Sequence, residues 1–386
     1  MTPRCWVVLA HAIVAGCGAR SDILPWGGAG GDVDRRSDAG ERMDPDGSAM
    51  DGRRRDGSRG VARDASTARR DGARHRDATS ADAGTRDACV DASCDAGGAV
   101  ALVLFGGESD SAILDDTWVW SGGVWSRHLV TGPEARSGHA MAERDGEAIL
   151  FGGKGAADVP YGDTWSWTGE AWTLVSTSGP SPRPLSAMAG LGGTVVLFGG
   201  ADPTGQPYGD TWVLDGTTWQ EKTVAGPSAR LSAAMASYDG GVLLSGGYDA
   251  TGAVLDDTWR WDGSAWTEIA VRGPKEYDDV MVTLGRVVVL SGWFAFDVVG
   301  KDVYNETEIW DGTAWNHLDV EGPSVRQFPA MAATASTAVL FGGYRNSGDG
   351  GVSGETWIWN GTTWALSSAT GPAARDLSAM CPYEAR

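Results

Sequence analysis

The sequence predicts an all-β fold, and three repeated segments predict it. An apolar run closing on Gly-Gly occurs as VLFGG at 103, ILFGG at 149, VLFGG at 196, LLSGG at 243 and VLFGG at 339, with a worn copy, VLSGW, at 289. The copies stand near 47 residues apart, widening to 50 at the last. A loop follows each one, and then DDTWVW, GDTWSW, GDTWVL, DDTWRW, ETEIW or ETWIW. The third segment, GPxxR…M, begins at 132, 179, 226, 322 and 371, with GPKEYDDVM at 273 as its degenerate form. A fixed period of this length marks units that cannot bury their faces alone and must stack on neighbours. Apolar–polar alternation between Gly-containing turns gives antiparallel hairpins, and no segment sustains a helical period.

In chain order, the first segment is MTPRCWVVLAHAIVAGCG, with one Arg, an apolar run and then Val14-Ala15-Gly16-Cys17. That is the layout of a signal peptide over 1–16. Its apolar run is too short to span a bilayer. A Cys placed directly after Ala-Gly resembles a bacterial lipobox, which implies cleavage before Cys17 and lipid on its thiol. The expected location is therefore the bacterial cell envelope, lipid-anchored, with Gly18 favouring the outer membrane.

Residues 17–98 are expected to be a disordered tether. From 18 to 98 there are 14 Arg against 16 Asp plus Glu, and almost no side chain large enough to build a core. Such a chain cannot offset its ordering entropy. About 80 flexible residues reach roughly 50 Å. The interleaved acids cancel the field that the Arg clusters would need for nucleic acid.

The folded part, 99–386, carries 16 Lys plus Arg against 35 Asp plus Glu. An acidic surface excludes nucleic acid and anionic lipid as partners, leaving membrane association to the lipid anchor alone. Each unit supplies four strands, in the second unit RSGHAMA, EAILFGG, DTWSWTG and AWTLVS. This multi-part motif resembles the kelch repeat of β-propellers, the architecture of the galactose oxidase central domain. The resemblance implies a six-bladed propeller. The Gly-Gly and GPxxR…M strands are offset, however. The first Gly-Gly strand, Val100 to Gly107, has no partner before it, and the last R…M strand has no Gly-Gly strand after it. Pairing the two closes the ring, so the C-terminal strand is expected to act as a clasp that removes open sheet edges.

Candidate site residues follow from this frame. Arg136, Arg183, Arg230, Arg326 and Arg375 head the expected innermost strands and converge on one face, with Tyr277 breaking the series. Either they pair with the abundant acids, or they form an anion or acidic-peptide site through their forked donors. The kelch resemblance implies the second role, since arginines at this position line the binding face in some members. The Asp of the Asp-Thr-Trp segment recurs at 116, 163, 210 and 257, with Glu306 and Glu355 later. Without an Asp-x-Asp-x-Asp ladder it is expected to accept turn amides rather than to hold calcium. No metal is expected.

The fifth unit departs from the others. Trp293 replaces a Gly, Glu308 replaces a Trp, and WFAFDVVGKDVYNE forms an expected long loop. Tyr277, Asp278 and Asp279 would then lie beside Trp293, Phe294, Phe296 and Tyr304. Clustered aromatics with carboxylates suit a carbohydrate or peptide. The rival is a sugar epimerase using Asp278, Asp279 or Glu306 as acid or base. No metalloprotease, nucleophile-elbow or Walker motif is present in the sequence. A copper oxidase of this superfamily needs a Tyr-Cys-His constellation, and Cys381 is the only Cys after residue 98. No catalytic residue and no cofactor are therefore expected. The expectation is a non-catalytic binding or scaffold module, monomeric, with a protein or glycan partner on its loop-rich face. In an oxidising envelope Cys381 is open to pairing with Cys94, and Cys89–Cys94 is the rival bridge.

Overall fold

The computed structural model describes residues 100–385 apart from 270, 271, 275, 286, 295–304 and 346–349. For 276–279, 287, 288, 290–294, 305 and 306 it describes the backbone alone.

Two-residue turns fix the hairpins. Asp145-Gly146 and Asp239-Gly240 take positive φ at both residues (51° and 79°, 46° and 67°), the geometry that matches the twist of the flanking strands. The chain opens with β1 (Val100–Phe105), β2 (Thr117–Ser121) and β3 (Val124–His128). The second sheet is β4 (Ala140–Arg144), β5 (Glu147–Phe151), β6 (Thr164–Trp167) and β7 (Trp172–Ser176), in that order. The third is β8 (Ala187–Leu191), β9 (Thr194–Phe198), β10 (Thr211–Asp215) and β11 (Thr218–Lys222). The fourth is β12 (Ala234–Tyr238), β13 (Gly241–Ser245), β14 (Thr258–Trp261) and β15 (Trp266–Ile269).

The fifth sheet is β16 (Glu276–Leu284), β17 (Val287–Phe294), β18 (Asn305–Trp310) and β19 (Trp315–Leu318). The sixth holds β20 (Ala330–Ala333) and β21 (Ala338–Phe341), then β24 (Thr356–Trp359) and β25 (Trp364–Leu366). Its third-strand loop forms a short hairpin of β22 (Tyr344–Arg345) and β23 (Gly351–Val352).

These five sheets are each built from one continuous stretch of chain. A further four-stranded sheet is composite. Its order is β26-β1-β2-β3, with β26 (Ala379–Glu384) paired antiparallel to β1 from Val100↔Glu384 to Phe105↔Ala379. The C-terminal strand thus supplies the innermost strand that the first Gly-Gly strand lacks in sequence order. Cys381 lies inside β26, buried and opposite Val103, rather than beyond it. Cys94 and Cys89 fall outside the described residues, as does Cys17.

The core lies between sheets. Phe105 of the composite sheet packs with Leu150, Trp167 and Trp172 of the second sheet. Trp120 and Trp125 pack with Val339 and Phe341 of the sixth sheet. The recurrent tryptophans are therefore packing residues, each able to bury about 150–250 Å².

One hydrogen bond repeats at every interface. The outer-strand Trp of each sheet donates its indole N–H to the first Thr of the third strand of the preceding sheet. Trp172 reaches Thr117 at 2.9 Å, Trp219 reaches Thr164 at 2.8 Å and Trp266 reaches Thr211 at 2.9 Å. Trp315 reaches Thr258 at 3.1 Å and Trp364 reaches Thr307 at 2.9 Å. Trp125 of the composite sheet reaches Thr356 of the sixth at 2.9 Å, so the series returns to its start. The same indoles explain the Gly of the Gly-Pro pairs. A Cβ on Gly132, Gly226 or Gly371 would sit 2.6 Å from the Cδ1 of Trp172, Trp266 or Trp125. At these three glycines the linker runs too close beneath the next Trp for any other residue. The molecule is an all-β propeller.

Removing Asp376–Arg386 deletes β26 and bares the inner edge of β1. The truncated chain is expected to aggregate or to be degraded by limited proteolysis, with no intact monomer by size exclusion. A monomer with the parent's melting temperature would contradict closure through β26.

Candidate functional site

The expected arginine face is where structure and sequence part most clearly. Arg136, Arg183, Arg230, Arg326 and Arg375 are at most 1% exposed, so none of them stands on a binding surface. Each clamps the first strand of its own sheet to the third. Arg183 Nη1 and Nη2 lie 2.6 and 2.9 Å from the two carboxylate oxygens of Asp210. The same fork joins Arg136 to Asp163, Arg230 to Asp257 and Arg375 to Asp116. In the sixth sheet Glu355 takes the role, at 2.7 Å from Arg326 Nη2.

The remaining donors go to backbone. Arg183 Nε donates to the Ser181 carbonyl and Nη1 to Gly199, the first glycine of the Gly-Gly pair. Each of these buried guanidiniums thus spends four or five of its five donors inside the fold. The repeated acids are corrected with them: they are expected to accept turn amides, but side chains are their main partners. Asp210 also accepts from Trp212 Nε1 at 2.8 Å, and Asp116, Asp163 and Asp257 do the same for Trp118, Trp165 and Trp259. A constant 27-residue separation of Arg and Asp in three units was the sequence signal for this pairing.

Burial pushes each of these carboxyls up, but hydrogen bonds from the guanidinium and the indole outweigh it. The net shift of Asp116, Asp163, Asp210 and Asp257 is downward.

The loops above the clamps share one face. Short bridges tie the loop after each Gly-Gly to the loop before an innermost strand, as at Ser137↔Lys154, Leu231↔Tyr248 and Gln327↔Tyr344. On this face a groove of about 700 Å³ lies at the second sheet, between the linker that enters it and the linker that leaves it. Its walls are Glu134, Tyr161 and Trp165, with Pro160, Pro180 and Pro182. Tyr161 donates its hydroxyl to Glu134 Oε2 at 2.8 Å, and Arg136 stacks 4.2 Å from its ring centroid. Tyr161 is thus held upright by a carboxylate on one side and a cation on the other. Burial and the Glu134 partner raise its phenol above the usual value, so it stays a neutral donor. The groove thus presents an aromatic ring and one placed carboxylate among rigid prolines. Sequence reasoning missed this groove because Glu134 is a variable position within its GPxxR segment, and only the fold brings Tyr161, 27 residues later, against it.

In the fifth sheet the strands run longer than expected. Trp293 and Phe294 belong to β17 rather than to a loop, and the register pairs Tyr277 with Trp293 and Glu276 with Phe294. The expected proximity of these segments therefore holds along the backbone. A register shift between Tyr277 and Val280 places a bulge at Asp278 and Asp279. Glu306 pairs with Gly292 in β17. Phe296 and Tyr304 lie outside the described residues. Glu308, which replaces a Trp, is buried and lies 3.1 Å from His317 Nδ1. Among the described residues no group of three or more His, Cys, Asp or Glu could hold a metal ion.

A family model described as the KLHDC2/KLHL20/DRC7 Kelch-repeats domain matches residues 92–292, more than half of the chain. The chain belongs to this kelch-repeat family. A search of curated proteins returns no match. In the kelch units of this chain the motif residues are structural: Gly-Gly, Arg, Asp and Trp build the sheet and join it to its neighbours.

Asp210→Asn should leave Arg183 buried with its charge uncompensated and destabilise the fold by about 3 kcal/mol, measured by denaturant titration. The depressed carboxyls contribute stability that is full above about pH 4. It is lost as pH falls through their lowered native values. Acid unfolding should accordingly begin below pH about 4 and be shallower in Asp210→Asn, which has one titrating clamp fewer.

Proposed function

We propose that this kelch propeller is a non-catalytic binding module that engages a protein or glycan partner through its loop-rich face. Five continuous blades and the composite one close as a six-bladed ring, and the ring serves as a rigid scaffold for variable loops. The observation that carries this reading is the groove built on Tyr161, Glu134 and three prolines, above arginines that are buried and paired inside the fold. The acidity of the folded part favours a basic peptide or a neutral sugar over an anionic partner. The fifth-sheet segments around Tyr277 and Trp293 offer a second loop-face surface for the same partner. The lipobox resemblance supports an envelope location, with Cys17 carrying lipid and the tether holding the propeller off the membrane.

The chain lacking its leader, probed on peptide and glycan arrays, identifies the class of partner. Glu134→Ala and Tyr161→Ala should weaken capture about tenfold or more while shifting the melting temperature by only a few degrees, as surface changes do. Undiminished capture by both variants would remove the groove from the site. Cys17→Ser should release the protein from membranes into the soluble fraction, and continued membrane retention would refute the anchor.

A further inference from the structure

The groove at the second sheet is built on a departure from the repeat. The third residue of the GPxxR segment is Ser at 181, 228 and 324 and Ala at 373, but Glu at 134. In two of the Ser units this residue serves the clamp. Ser228 Oγ and Ser324 Oγ accept from Nη2 of Arg230 and Arg326, at 3.1 and 3.2 Å. The Glu134 carboxylate takes no such part. Arg136 gives its fork to Asp163 and reaches only the backbone carbonyl of Glu134, through Nε at 3.0 Å. The side chain of Glu134 is exposed, and its Oε2 accepts from the Tyr161 hydroxyl. Among the described residues no Lys, Arg or His forms an ion pair with it.

The donors of the groove point the same way. Its two aromatic walls have spent theirs inside the fold: the Tyr161 hydroxyl goes to Glu134, and Trp165 Nε1 goes to Asp163 at 2.7 Å. Asp163 is itself neutralised by Arg136. No Lys or Arg lines the groove. What remains for a ligand is the Glu134 carboxylate, with hydroxyls such as Thr177 and Ser181 that accept as readily as they donate. A sugar asks its site for donors as well as acceptors. A cation that brings only donors asks for none. The excess of 35 acidic over 16 basic residues in 99–386 adds a field that favours such a group.

Guanidinium is that group. It is planar, donates only, forks onto carboxylates and lies against aromatic rings more readily than a hydrated ammonium does. The fold already uses the second contact, with Arg136 and Arg183 stacked 4.2 and 3.7 Å from the ring centroids of Tyr161 and Tyr208. Resting on the groove reading above, we infer that the occupant of this groove is an arginine side chain of a peptide partner, its guanidinium on Glu134 beside the aromatic wall of Tyr161 and Trp165.

The test is a titration of the full chain, carrying isotope-labelled tryptophan, with N-acetyl-arginine methylamide and with its citrulline analogue, which keeps the shape and loses the charge. Trp165→Phe assigns the reporting indole signal. The expected result is a saturable shift of the Trp165 N–H with the arginine probe and binding about tenfold weaker or more with citrulline. Glu134→Gln keeps an acceptor for Tyr161, and Glu134→Ser installs the residue that three other units use at this position. Both should keep the parent's melting temperature and weaken arginine binding about tenfold or more. No shift with arginine, equal affinity for the two probes, or undiminished arginine binding in both variants overturns the inference. A neutral glycan from the array that shifts Trp165 where arginine does not also overturns it, and leaves the groove itself standing. The groove reading fails separately, if no array partner shifts Trp165.

Discussion

The indole-to-threonine hydrogen bond between sheets is the interaction on which the rest of this structure depends. A twisted four-stranded sheet with apolar side chains on both faces has no stable existence alone. Each sheet must find two neighbours, and the chain provides a device that sets their spacing. The outer Trp lies over the Gly of the incoming linker and reaches back to the first Thr of the preceding third strand. Its ring meets the inner aromatic edge-on: Phe105 with Trp172, Phe151 with Trp219 and Phe198 with Trp266 stand 5.2, 5.4 and 5.6 Å apart. Burial, an aromatic contact and a satisfied N–H thus fall on one side chain. Repetition of that contact around the molecule leaves no sheet face bare.

Within each sheet a second device works at right angles to the first. The Arg–carboxylate fork joins the first strand to the third across the Gly-Gly turn, beneath the loops. A buried ion pair of this kind adds little net stability, but losing one partner is costly. Its effect is to hold the ends of two strands in a fixed relation, so that the loops above are free to vary. The most conspicuous charged motif of the chain is therefore framework.

The fold was legible in the sequence because repetition supplies six readings of one pattern. Strand type, strand order and the pairing of Val100–Phe105 with the C-terminal strand all follow from the period and from the offset of its two ends. The site was far less legible. An Arg at the head of an inner strand has the same sequence signature whether it faces solvent or is sealed under a turn, and only the acceptors at Gly199 and Asp210 decide between them. The groove at Tyr161 joins a loop of the second sheet to the linkers on either side of it, a juxtaposition that strand periodicity does not encode. In the fifth unit the expected loop became strand because β-branched and aromatic residues around Trp293 continue the pairing of β17 with Glu276 and Tyr277.

Closure of the ring at the composite sheet is the central claim, and a double-mutant cycle across that interface tests it most directly. Trp125→Phe removes the indole donor and Thr356→Val removes its acceptor, 231 residues apart in the chain. The account predicts a coupling energy of about 1 kcal/mol, equal within error to that of Trp219→Phe with Thr164→Val at an interior interface. A coupling near zero at Trp125–Thr356, beside a normal value at Trp219–Thr164, would mean that the composite sheet does not seat against the sixth and that the ring is open.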